Sequence, residues 1–134
     1  MQNRIEFPIE FAEKIVQMFH KVTGEHIDFM NQDGIIVATT QPERLKKVHE
    51  GAQKIMSGEV DELAIEVEDA KRLNGVMPGY NGVVLFKGER IACIGVSGDP
   101  KTMRPFQRLA AVIARKQYAH FLSQKVKQDI SENK

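Results

Sequence analysis

The sequence predicts an α+β domain: an antiparallel sheet flanked by helices, with a long helix at the C-terminal end. Two observations carry that reading. The elements run helix, hairpin, helix, hairpin, helix, and strands that do not alternate singly with helices disfavour a parallel, doubly wound sheet. The length of 134 residues supports one hydrophobic core and is too short for two ordinary ones.

The first helix opens at Pro8, a residue suited to a first turn. Ile9, Ala12, Ile15, Val16, Phe19 and Val22 follow at helical spacing, and Gly24 ends it. Residues 25–30 read as a short strand with Ile27 and Phe29 on one face. Asn31-Gln32-Asp33-Gly34 forms the turn, since Asp-Gly between apolar runs signals a hairpin. The β-branched run Ile35-Ile36-Val37 starts the return strand, residues 35–39.

A second helix is expected next, with Thr40 and Glu43 as a capping box and Pro42 in the first turn. Leu45, Val48, Ala52 and Ile55 would be its buried stripe, and Gly58 its end. Residues 59–74 are mixed, with a short helix around 68–73. Two strands follow, 79–87 and 90–97, joined through Lys87-Gly88-Glu89. The second is apolar enough to be central. Asp99-Pro100 caps and opens the final helix, with a stripe of Met103, Phe106, Ala110, Ile113, Gln117 and Phe121. Leu122, Val126 and Ile130 continue at a spacing of four, and the chain should fray beyond Ser131. This helix overruns one sheet face, so its tail pairs with another copy or leads to a further domain.

Composition narrows the function. The 42% apolar and 28% charged residues are globular values and exclude disorder of the whole chain. A net charge of +1 does not suit a strongly basic nucleic-acid binder. The lone Cys93 excludes an internal disulfide or a Cys-rich zinc site, and it fits a reducing cytoplasm. No apolar run approaches the ~18 residues of a spanning helix. Residues 1–7 hold Arg4 and Glu6 and no apolar core, so they do not read as a secretory leader.

Catalysis has little to stand on. His20, His26, His49 and His120 show no metal-ligand spacing, and Gly-x-Ser-x-Gly, Walker and His-Glu-x-x-His patterns are missing from the sequence. Cys93, between Ala92 and Ile94, reads as buried packing rather than a reactive thiol. The sequence therefore predicts neither an enzyme nor a resident cofactor.

Three segments carry polar or glycine residues that a plain core would not need. The first runs from Thr39 through Arg44 to His49, with Arg44 and His49 placed on the second helix at the end of a strand. The second is Gly75-Val76-Met77-Pro78-Gly79-Tyr80-Asn81-Gly82, where glycines let a ligand approach the backbone. The third is Ile94-Gly95-Val96-Ser97-Gly98-Asp99-Pro100. Gly95 inside a buried strand implies a close approach, and the helix start beyond Gly98 suits a carboxylate unless Asp99 takes those donors itself. Each segment sits where a strand ends. They are expected to converge on one small anion, with Arg44 or His49 as counter-charge, N–H groups of residues 77–81 and 97–99 as donors, and Asn81 reading a hydroxyl.

The same residues carry a resemblance. Asp33-Gly34-Ile35-Ile36, Glu43-Arg44-Leu45 and His49-Glu50-Gly51-Ala52 resemble the first half of the sugar diacid recognition domain, the N-terminal sensor of carbohydrate diacid regulators. Gly75-Val76, Gly79, Asn81, Gly88-Glu89 and the run from Ile94 to Pro100 resemble its second half. The resemblance spans residues 8–125 and implies a PAS- or Cache-like sensor of small hydroxy-acids or sugar diacids, such as glycerate, glucarate or galactarate. The ligand contacts expected from the three segments are Thr39, Arg44, His49, Met77, Pro78, Gly79, Tyr80, Asn81, Ser97 and Gly98. The resemblance also implies a homodimer through residues 99–130, and DNA binding only through a helix-turn-helix domain beyond this chain. Residues 1–125 would be the sensor and 126–134 a polar helical tail toward that effector. Met77 stands where the family usually has a basic residue, and Tyr80 and Val83 also depart from its pattern. Loss of that cation favours a monoacid, or a more apolar acid stacked on Tyr80. The run Gly95-Val96-Ser97-Gly98 also resembles haem-binding and glycolate-operon accessory proteins, which would need His49 as an axial ligand.

Overall fold

The computed structural model describes residues 6–132. Helix α1 (Ile9–Thr23) leads to strands β1 (Ile27–Met30) and β2 (Ile36–Thr39). A 3-10 turn (Pro42–Arg44) precedes α2 (Glu50–Met56), β3 (Glu62–Ile65) and the short α3 (Val67–Ala70). The hairpin β4 (Gly79–Phe86) and β5 (Glu89–Ser97) then leads into α4 (Pro100–Glu132). All strand pairs are antiparallel, in the order β2-β1-β5-β4-β3. The fold is α+β, as the element order predicts.

The sheet divides two cores. On one face α1 contributes Ala12, Ile15, Val16 and Phe19, and α4 contributes Met103, Ala110, Ala114 and Tyr118. They cover Ile27 and Phe29 of β1 and Ile94 and Val96 of β5. On the other face α2 brings Ala52 and Ile55 against Met30, Ile36 and Cys93. Cys93 is fully buried there, and burial holds its thiol far above the ordinary range, so it is inert.

The first helix begins one residue later than its proline, because Pro8 is the N-cap, and Gly24 closes it in the left-handed region at φ 72°. The turn at residues 31–34 is held by the Asn31 carboxamide, whose Oδ1 accepts the Asp33 and Ile35 N–H groups. The second helix differs most from expectation. The capping box at Thr40 does not form, because Thr40 Oγ1 instead accepts the Ile27 N–H at 3.1 Å. The chain makes one 3-10 turn, enters the left-handed region at Lys46 (φ 70°), and runs beside β2 through Lys46 N–H to Ile36 O and Ile36 N–H to Lys47 O. Leu45 and Val48 are therefore exposed, not buried. Helix α2 starts only at Glu50, with His49 as its N-cap.

Strand β3 has no counterpart in the sequence reading. Glu62-Leu63-Ala64-Ile65 is an edge strand paired on one side only, and so short a mixed run gives no period-2 signal. In α4 the buried positions are Pro100, Met103, Gln107, Ala110, Ala114 and Tyr118. Phe106, Ile113, Gln117 and Phe121 stand half-buried at the margin of that stripe. With 33 residues the helix is about 50 Å long. Val126 and Ile130 lie exposed on its distal part. Helix α4 is still regular at Ser131 and Glu132, and the expected fraying of residues 133–134 lies outside the described residues.

Candidate functional site

Beside α2, one row of residues crosses four strands. Thr39 on β2 pairs with Asp28 on β1, Asp28 with Gly95 on β5, and Gly95 with Asn81 on β4. Alternation across the pleat turns all four to the face opposite α1 and α4. Gly95 is the low point of the row. Asn81 Oδ1 lies over it, in space that a Cβ would occupy, so the close approach expected at Gly95 is made by a side chain.

A cavity of about 10 Å³ sits on this row, lined by His26, Asp28, His49, Met77, Asn81, Gly95, Val96 and Ser97. It has room for about one water. Asp28, His49, Asn81 and Ser97 are all buried polar residues. Asp28 is held hard. Its Oδ1 accepts the Thr39 hydroxyl at 2.6 Å, and its Oδ2 accepts Arg44 Nη2 at 2.8 Å and Nε at 3.2 Å. Arg44 Nη2 also donates to the Gly75 carbonyl at 2.7 Å. The guanidinium thus latches the 3-10 turn and the segment before β4 to the row.

His49 is 2% exposed. Its Nδ1 accepts the Ala52 N–H at 2.9 Å, which puts the proton of the neutral ring on Nε2. Burial, opposed by Asp28 and assisted by Arg44, lowers its pKa to about 4. Ser97 Oγ accepts the His26 N–H at 2.9 Å and donates to Glu25 Oε2 at 3.1 Å. Its own N–H goes to the His26 carbonyl.

The structure thus brings His49, Met77, Asn81 and Ser97 to one cavity, with Thr39 and Arg44 attached through Asp28. The other candidates lie apart. Tyr80 alternates to the α4 face, where it packs in the larger core with Arg104 above its ring, so an acid cannot stack on it in the cavity. Gly79 sits against the Val96 carbonyl. Pro78 accepts the Gly98 N–H at 3.0 Å. Of the donors expected at residues 97–99, the Ser97 and Gly98 N–H groups are consequently spent on carbonyls, and in the first turn of α4 the Thr102 N–H goes to Asp99 Oδ2. Gly79, Tyr80 and Asn81 are committed to the ladder between β3 and β5. As a neutral ring His49 supplies no counter-charge, which leaves Arg44.

Two residues of the site escaped the sequence reading, Asp28 and His26. An acidic residue inside Ile27-Asp28-Phe29-Met30 was the available signal, since a buried carboxylate needs a cation and hydrogen bonds. Among the described residues no cluster of three or more His, Cys, Asp or Glu side chains is arranged to hold a metal. No helix there is long and apolar enough to cross a membrane.

The His49 ring predicts an acid-labile fold. Folded, it stays neutral down to about pH 4; unfolded, it protonates near the ordinary value of about 6.5. Between these values the unfolded chain binds more protons, so stability falls as pH falls. The ring should account for a loss of about 2–3 kcal/mol between pH 7 and pH 4.5. Urea unfolding at the two pH values measures it. His49→Asn, which keeps an N-cap acceptor, should flatten the slope by that amount.

The architecture and this row define a small α+β domain with a buried polar site near its strand ends. Residues 8–134 match the sugar diacid recognition family, and the chain belongs to it. It is 38% identical over 98 residues to the uncharacterized protein YsfB of Bacillus subtilis strain 168, covering 73% of this chain and 26% of that protein. It is 30% identical over 108 residues to the carbohydrate diacid regulator of Escherichia coli K12, covering 78% of this chain and 27% of that one. The chain thus spans about a quarter of the length of these relatives.

Proposed function

We propose that this domain is the ligand-binding sensor of a bacterial transcriptional regulator, working in the cytoplasm, and that it binds a small hydroxy-carboxylate. Membership of the family and the similarity to a carbohydrate diacid regulator support the regulatory role. The observation that carries ligand binding is the buried row Asp28–Gly95–Asn81 with His49 and Ser97 around one cavity. Plain packing does not call for four buried polar side chains around a hollow.

Arg44 would take the carboxylate, and Asp28 and Asn81 the hydroxyls. Charge-assisted bonds of that kind contribute about 1.5–3 kcal/mol each. Arg44 is the one cation that reaches the row among the described residues, and Asp28 already opposes it. Met77, lining the cavity, adds no charge. The balance favours a monocarboxylate over a dianion. A sugar acid does not fit the volume seen, so entry requires Arg44 to leave Asp28 and the segment at Gly75 to swing away. The haem alternative is weaker. His49 commits Nδ1 to α2, and a macrocycle would have to displace the row itself. Asp28, His49 and Ser97 are each engaged in structural hydrogen bonds, to Arg44 and Thr39, to α2, and to His26 and Glu25, and a binding module rather than an enzyme is the reading. We further propose that α4 joins two copies, given exposed Val126 and Ile130, and passes the signal to an effector domain that binds DNA.

Isothermal titration with glycerate, glucarate and galactarate tests the binding. Glycerate should bind most tightly, and Asn81→Ala should weaken it about tenfold or more. No heat from any of these acids, or binding indifferent to Asn81→Ala, would remove the proposal. Sedimentation of the same samples reads whether the copies pair.

A further inference from the structure

Directly behind the cavity the sheet is at its thinnest. Asn81 and Gly95 are cross-strand partners, and Gly82 and Ile94 are the next pair. Alternation turns the first pair to the cavity and the second to α4. Gly82 leaves an empty place on its face, and Gln107 of α4 takes it: a Cβ on Gly82 would lie 2.6 Å from Gln107 Oε1. On the opposite face Asn81 Oδ1 takes the place above Gly95. Two glycines, one on each face and one step apart in register, thus each receive a polar side chain.

Gln107 is 1% exposed. Its Nε2 donates to the carbonyls of Gly82 and Ile94, each at 3.1 Å. Packing alone would be served by leucine or methionine, since a buried amide is costly wherever its bonds are incomplete. The other helix on this face makes a useful contrast. Helix α1 buries only Ala12, Ile15, Val16 and Phe19. Apolar contacts tolerate sliding because they have no direction, whereas hydrogen bonds weaken steeply when their angle changes. Of the two helices, α4 is the one whose buried stripe grips the peptides behind the hollow directionally.

We propose that Gln107 is a positioning residue that couples the Asn81–Gly95 hollow to α4. Displacing the Asn81 side chain shifts the β4 and β5 peptides, the two carbonyls turn with them, and Gln107 carries the change into α4. The use of this coupling by a ligand rests on the sensor reading above. The coupling itself is tested with no ligand present.

Gly95→Ala supplies the push. Its Cβ evicts Asn81 from the hollow but meets only the end of a flexible side chain and Met30 Cε at 3.7 Å, so the fold survives. Hydrogen exchange, followed by NMR on the full chain, is the readout. Gly95→Ala should speed exchange of the Gln107 Nε2 protons and of α4 amides around residues 103–114 by about tenfold, with α1 unchanged. In a Gln107→Met background, unbranched and similar in length, the same substitution should leave α4 unchanged as well. Equal acceleration in α1 and α4, no change in α4, or an α4 response that survives Gln107→Met would each overturn the proposal. If Gln107→Met fails to fold, Asn81→Ser in the native background decides. It must move the Gln107 side-chain amide resonances, and a fixed resonance refutes the coupling. Silence in the acid titrations would leave this result standing, so the two readings fail separately.

Discussion

Arg44→Ala is expected to lower the unfolding free energy by about 3 kcal/mol and to abolish carboxylate binding. Asp28 is the reason. Its side chain is 9% exposed and that of Arg44 16%, and they meet at 2.8 Å. A buried pair contributes little net stability, because desolvation offsets most of its attraction. Breaking it from one side is different, since Asp28 would keep its charge in a pocket with only the Thr39 hydroxyl to answer it. The Gly75 carbonyl would lose its donor as well. Urea unfolding measures the loss. The Asp28→Asn, Arg44→Ala double variant should recover more than half of it, because no charge is then left buried. A double variant no better than Arg44→Ala alone would show that the cost lies elsewhere. The same comparison bears on function: a bond this costly to break by mutation can still be exchanged, because an incoming hydroxy-acid offers its carboxylate to Arg44 and its hydroxyl donors to Asp28.

Gly79→Ala should cost about as much, roughly 3 kcal/mol, for a purely steric reason. The new Cβ would run into the Val96 carbonyl oxygen and lie 2.8 Å from Ser97 Cα. Both are backbone atoms of β5, the middle strand, fixed between β1 and β4. Neither can yield without opening the β4–β5 ladder next to the site. Gly95→Ala, by contrast, meets the tip of Asn81 and should cost no more than about 1 kcal/mol. Thermal melts of the two variants side by side check this. Equal losses would mean that the neighbours of Gly79 relax more readily than a paired strand allows.

The contrast between these glycines shows how far the sequence could be read. Gly79 and Gly95 both stood out as places where something approaches the chain closely, and both are. What approaches differs from expectation, a backbone carbonyl in one case and a carboxamide in the other. The hairpins at Asp33-Gly34 and Lys87-Gly88 were legible because turn chemistry is local. The region from Thr40 to Val48 was not. Its capping-box spacing was satisfied by sequence, yet Thr40 is drawn off by the Ile27 N–H, 13 residues back, and Lys46–Lys47 by the edge of β2.

The sequence by itself determined the α+β class, the two hairpins, the first and the long last helix, and the set of glycine-bearing segments. These follow from periodicity and turn residues, which act over a few neighbours. Only the tertiary structure decided which face each strand residue presents. It turned Tyr80 into the core and Asn81 into the cavity, made His49 a neutral helix cap, and paired Arg44 with Asp28 across 16 residues. Strand register and burial set those outcomes. Both arise from contacts between residues far apart in the chain, which local pattern does not encode.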